Sequence, residues 1–257
     1  MVPITEQEKN SPLYKYYERD MVPAPAEKYA MAEEPADPSL GLHPCDMNRL
    51  FDPGYLPLET GFCQLEDGGA MLANLTPMPG VTPEMFDFWF AWHGGDPMRY
   101  KIWNHDDHYY CKSRNMDKLN DRTLSLKERY RDTIHDVEED VGMGKDSILI
   151  NFRDPADIGF DPEKLESFGG TIVCAGNEHA PTIMCHFLRP TEDGCELRSR
   201  FWMGYSVIGS RPVKILPDGV LFPLAPVQAL LKHNIKEFTN LAAILPEVYR
   251  EFAADFC

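Results

Sequence analysis

The spacing of apolar positions changes character midway along the chain. Residues 81–92 (VTPEMFDFWFAW) open on Thr82-Pro83, an N-cap followed by a first-turn proline, and predict a helix. Its aromatic density requires burial. Residues 124–140 read as a second helix. Ser125 and Glu128 form a capping box there, and Leu126, Tyr130, Ile134 and Val137 share one face. Then the period shortens. Residues 147–152, 170–175, 182–188 and 196–207 are short β-type runs, with Thr191-Glu192-Asp193-Gly194 as a hairpin turn. In the last run Glu196, Arg198 and Arg200 alternate with Leu197, Ser199 and Phe201, which carries Met203 and Tyr205 onto the inward face. His186 shares a face with Met184 and Leu188. The chain closes with a helix over 226–245, broken at Pro246, and a shorter one to the C-terminus. A curved antiparallel sheet closed by a long C-terminal helix is an α+β layout, and a ligand cavity belongs between the two.

Residues 1–60 are rich in proline and acidic side chains and short of apolar periods. They predict a segment that wraps a body or a second subunit rather than forming its own core. The division expected is an N-terminal extension over 1–80 and a compact domain over 81–257. The formal net charge of −16 carries no compensating basic stripe, which excludes nucleic acid and anionic membrane as partners. Residues 1–10 lack a signal-peptide core, and no apolar run reaches the ~18 residues of a membrane span. Seven scattered cysteines form no CxxC pair, which points to a reducing cytoplasm.

His233 and Glu237 stand out chemically. They lie four apart on the long helix and face the same way. At 100° per residue, Glu237 falls inside the apolar arc of Leu230, Ile235, Phe238, Leu241 and Leu245, with His233 at its edge. A buried His–Glu hydrogen bond and a bidentate metal-binding pair both satisfy that placement. The run 96–110 (DPMRYKIWNHDDHYY) adds His105, Asp106, Asp107 and His108 among aromatics. A third group, His135, Glu138, Glu139 and Asp140, ends the middle helix. By helical phase Glu138 borders the apolar face and Glu139 points away. Cys111 and Cys185 have histidines nearby in sequence but no orienting third group, and there is no GxSxG, P-loop or GxGxxG.

The strings WFAWHGGDPMRYKIWNHDDH, EEDVG, SRFWMGY and HNIKE, in this order over residues 40–245, resemble the 2,4-diacetylphloroglucinol hydrolase family, which includes the phloretin hydrolases. The resemblance implies a Bet v 1-like (START-like) helix-grip fold with an N-terminal extension used to form a homodimer. It implies hydrolysis of the carbon–carbon bond between a phloroglucinol ring and its acyl group, so the partner is a small phenolic ketone. It also implies one zinc ion (Zn2+) held by His108, Glu139, His233 and Glu237. His105 competes with His108 for the first place, and Glu138 with Glu139 for the second, where the family's spacing selects Glu139. Tyr100, Tyr205 and His186 are implied as pocket residues, the tyrosines on phenolic oxygens and His186 as proton shuttle. Cys111 stands where the diacetylphloroglucinol enzymes are expected to carry an amide. Two other classes fit the same layout: a non-catalytic carrier of small aromatics, and an iron-dependent aromatic oxygenase.

Overall fold

The structure is a computed structural model that describes residues 1–177 and 180–257. Eight strands form one antiparallel sheet in the order β1-β2-β8-β7-β6-β5-β4-β3. They are β1 (Gly61–Gln64), β2 (Ala70–Pro79), β3 (His108–Ser113), β4 (Thr133–Glu139), β5 (Asp146–Arg153), β6 (Thr171–Asn177), β7 (Thr182–Thr191) and β8 (Gly194–Met203). A helix over Leu224–Phe256 lies across one face and buries Leu231, Ile235, Phe238, Leu241 and Leu245 against it. This is the α+β helix-grip architecture. The helix Pro83–Trp92, capped by Thr82 as its sequence predicts, fills the same core with Phe86, Phe88, Trp89 and Phe90.

The opposite face is also covered. Leu42, Met47 and Leu50 pack there with Phe160 against Ile172, Phe187 and Trp202. A sheet buried on both faces explains why β8 and the first half of β2 read as unbroken buried runs rather than alternations. Arg198 and Arg200 are therefore buried, and Glu59 bridges both guanidinium groups at 2.6 Å. The hairpin at 191–194 joins β7 and β8 as expected.

The N-terminal region joins the body of the fold, and two helical expectations change. Residues 61–79, grouped with the extension, supply β1 and β2, and β2 pairs with β8 along its whole length. The proline-rich segment before them packs on its own chain: Lys15 to Glu251 at 2.6 Å, Arg19 to Glu247 at 2.7 Å and Glu8 to Lys101 at 2.6 Å. The predicted helix over 124–140 is a helix only over Leu126–Tyr130, and β4 follows. The C-terminal helix runs through Pro246 without a break, because Val248, Ala253 and Phe256 keep burying its inner face beyond it.

Candidate metal centre

Three elements converge at one end of the sheet. β4 alternates, burying Thr133, His135, Val137 and Glu139 while Ile134, Asp136 and Glu138 are less buried. Strand geometry thus turns Glu139 inward, and Glu138 reaches Lys145 at the surface, 2.7 Å away. His108 sits opposite Glu139, and a register shift follows immediately between His108 and Tyr110. That bulge lets both His108 and Cys111 face inward although they are three apart. From the long helix, His233 and Glu237 point at the same spot. His105 does not join them. Its Nε2 lies 3.0 Å from the Arg19 carbonyl, where it ties down the N-terminal segment.

His108 Nε2 lies 3.2 Å from His233 Nε2 and 3.6 Å from Glu237 Oε2. Glu139 Oε2 is 3.9 Å from each imidazole Nε2. His108 Nδ1 is 3.1 Å from the Tyr100 carbonyl, which only accepts, so Nδ1 carries the proton and Nε2 presents a bare lone pair. His233 Nδ1 has no hydrogen-bond partner among the described residues. Burial holds His108 well below the usual imidazole range and lowers His233 too, so both rings are neutral. Burial, then the Glu139 charge, raises Glu237 well above the carboxylate range. The two facing nitrogens can share only one proton, and the two crowded carboxylates beside them leave the cluster short of positive charge. With bonds of roughly 2.0–2.1 Å, neighbouring ligands of a tetrahedral metal sit about 3.4 Å apart, close to the spacings seen. The residues fit a metal ion.

The surroundings orient these groups. The Tyr100 hydroxyl donates to Glu139 Oε2, and its ring stacks on His108 at 3.8 Å. Burial and the Glu139 charge keep that phenol protonated. Asn234 Nδ2 donates to Glu237 Oε1 at 3.1 Å, and Asn74 Nδ2 to Asn234 Oδ1 at 2.9 Å. The centre opens onto an inner chamber of about 70 Å³ whose walls include Tyr100, His135, His186 and Phe201. Beyond it lies a cavity of about 230 Å³, walled by Ile150, Met184, Phe201 and Leu230, that leads outward.

His186 faces the chamber, with Nδ1 2.9 Å from Ser199 Oγ. Burial pushes it down to about 3, so its ring does not titrate near neutral pH as a free imidazole does. Tyr205 is not in the site. Gly204, at φ 90°, interrupts the strand alternation and turns Tyr205 to the opposite face, where its hydroxyl donates to Asp67 Oδ1 at 2.7 Å. Sequence reasoning grouped His135 with Glu138, Glu139 and Asp140 without giving it a role and read His93 as structural, and both also line the chamber. The spacing of Glu139 from His135 on one strand face would have shown the place of His135, once residues 133–139 were read as a strand.

Comparison with known proteins places this arrangement. The phloretin hydrolase of Eubacterium ramulus is 40% identical over 262 residues, spanning 97% of this chain and 93% of that protein. The 2,4-diacetylphloroglucinol hydrolase of Pseudomonas protegens is 29% identical over 266 residues, spanning 95% of this chain and 85% of that protein. The solved structure of Ara h 8.0201 superimposes with a TM-score of 0.41 at 9% identity, over 70% of this chain and 99% of that one. The family model for the DAPG hydrolase PhiG domain matches residues 42–250, a span that holds all eight strands and the four converging donors, and it is to this family that the chain belongs.

Proposed function

We propose that this chain hydrolyses the carbon–carbon bond between a phloroglucinol ring and its acyl substituent, with one zinc ion held by His108, Glu139, His233 and Glu237. The observation that carries the reading is the convergence of two neutral imidazoles and two carboxylates at the inner end of an apolar cavity. The 40% identity to a phloretin hydrolase supports the substrate class. Two carboxylates balance a divalent cation, which makes its burial tolerable, and a mixed N/O set suits zinc. Zinc bound there supplies Lewis acidity toward an oxygen of substrate or water.

The reaction consumes one water. The ring carbon bearing the acyl group gains a proton, water adds to the acyl carbonyl, and the bond breaks with its electron pair going to the ring. The products are the ring with a C–H bond and a carboxylic acid. Tyr100 stays a neutral phenol. Its proton is committed to Glu139, so its remaining lone pair can accept from a ring hydroxyl and align the ring. His186, neutral and with Nδ1 held at Ser199, has a second nitrogen to take up a proton and pass it to the ring carbon. It relays a proton rather than storing one. Met184, Phe201 and Leu230 keep bulk water out and bind the acyl chain, and the outward cavity has room for a phenylpropanoyl tail. The free thiols suit a reducing, cytoplasmic setting.

Metal analysis of protein purified without chelator, paired with an assay for phloroglucinol released from phloretin, tests the reading. The expected result is at least about one zinc per chain together with the product. Zinc without that product keeps the centre and moves the substrate to acetylated phloroglucinols. Absence of both metal and product overturns the ligand set.

A further inference from the structure

The strands that carry His108 and Glu139 carry a second set of donors further along. β3 turns Cys111 inward and β4 turns His135 inward, and His93 comes from the turn that ends the aromatic helix. One donor atom of each lies within 4.8 Å of the other two, and all three side chains are buried. Cys111 Sγ is 3.8 Å from His135 Nδ1, and the His93 and His135 rings are 5.3 Å apart between centroids. We propose that His93, Cys111 and His135 form a second metal site, separate from the first, for a thiophilic divalent cation of the zinc class.

Each residue is arranged as a ligand. His93 Nδ1 lies 2.9 Å from the Trp89 carbonyl, so that nitrogen carries the proton and Nε2 presents its lone pair. A backbone carbonyl behind the ring is the usual way a metal-bound imidazole is oriented. A weak thiol contact engages only one nitrogen of His135; its Nε2 is buried with no hydrogen-bond partner among the described residues. The nitrogen that faces Cys111, Nδ1, has only that weak thiol contact, and a buried imidazole so poorly partnered calls for more. Residue 94 is a glycine pressed against this ring, where an added Cβ would stand 2.4 Å from His135 Cε1. Any side chain at residue 94 would collide with this imidazole. Burial keeps the rings of His93 and His135 neutral and so able to ligate. Two imidazoles and a thiolate favour zinc-like and softer ions over magnesium or calcium. Binding replaces the Cys111 thiol proton by the metal and releases that proton to solvent, with no change of oxidation state. The two sets share no residue. His93 and His135 also line the inner chamber, so three protein ligands leave a fourth position open toward it.

Cobalt titration of chelator-stripped protein tests the site. Thiolate-to-cobalt charge transfer gives a near-ultraviolet band that nitrogen and oxygen ligands do not give. The first donor set holds no sulfur, so the band reports the second site alone, whatever becomes of the first. The band is expected to reach its plateau at one thiolate-bound cobalt per chain. It should survive Glu237→Gln, and also the double variant Cys45→Ser, Cys257→Ser, which removes the exposed thiols. It should vanish in Cys111→Ser, and His135→Gln should weaken cobalt binding at this site by at least tenfold. A bandless wild type overturns the proposal. So does a band that persists in a folded Cys111→Ser, or one that disappears with the exposed thiols. Should Cys111→Ser fail to fold, His135→Gln and the wild-type spectrum still decide.

Discussion

Two imidazole nitrogens, on the neutral buried rings of His108 and His233, meet 3.2 Å apart where β3, β4 and the long helix converge. A cation there would join both imidazoles and both carboxylates and relieve the crowding of the two acids. His233→Ala and Glu237→Ala should therefore each weaken metal binding by more than the 10–100-fold typical of outer-shell losses, and abolish turnover. Metal content after dialysis and phloroglucinol release measure the two effects. His186 touches no donor of the centre. His186→Ala should keep the metal and lose roughly 10²–10⁴ in kcat. Full turnover in that variant ends its role as proton shuttle. Tyr205 supplies the contrast. Its hydroxyl serves Asp67 on the far face of the sheet, so Tyr205→Phe should leave kcat within about twofold and cost about 1 kcal/mol of stability in urea unfolding.

The element that decides the site is β4. Its buried face reads Thr133, His135, Val137 and Glu139, and three of those four are polar. A period of two was present, but a hydrophobic pattern could not show it, because the inward positions are the polar ones. Leu126, Tyr130, Ile134 and Val137 meanwhile imitate a helical face, and the capping box at Ser125 is real but caps only a five-residue helix. The bulge in β3 hid that strand in the same way. The aromatic helix, the later strands and the inward phase of His233 and Glu237 were legible because apolar burial alone sets them. Strand geometry makes a sharp comparison. Glu139→Gln should reduce metal affinity at least tenfold, while Glu138→Gln, at a surface pair with Lys145, should leave metal content and turnover unchanged. Equal effects would mean that β4 is in the wrong phase. The C-terminal helix offers a second check at this scale. Pro246 lies inside it without an amide proton for the Ala242 carbonyl. Pro246→Ala should stabilise the fold by about 2 kcal/mol, the helical gain less the proline's restriction of the unfolded chain, read as a higher urea midpoint at unchanged m-value.

Across the whole molecule, the architecture buries several histidines in neutral form, and this ties stability to pH. Burial pushes His93 down to about 4 and His186 to about 3, and it lowers His135 well below the ordinary value. In the unfolded chain each titrates near 6.5. Above that pH neither state binds the proton, and the stability these groups permit is fully present. Between about pH 6.5 and the folded values the unfolded chain gains protons that the native protein refuses, so stability falls as pH falls. At pH 5 His93 and His186 have each withdrawn about 2 kcal/mol, and His135 acts in the same direction. Protons also compete with any metal at His108 and His233, which acts in the same direction. Asp87 and Glu237, both raised by burial, oppose the trend as pH falls through their folded values, because the native protein then takes up their protons before the unfolded chain does. The urea midpoint should therefore drop steeply from pH 7 to pH 5. His186→Phe, which replaces the imidazole by an apolar ring among Phe90, Phe201 and Phe238, should flatten that drop by about 2 kcal/mol. An unchanged slope in the variant would mean that His186 takes up protons in the folded chamber as readily as in water. It could then store the proton it delivers, and the relay assigned to it would become ordinary general-acid catalysis.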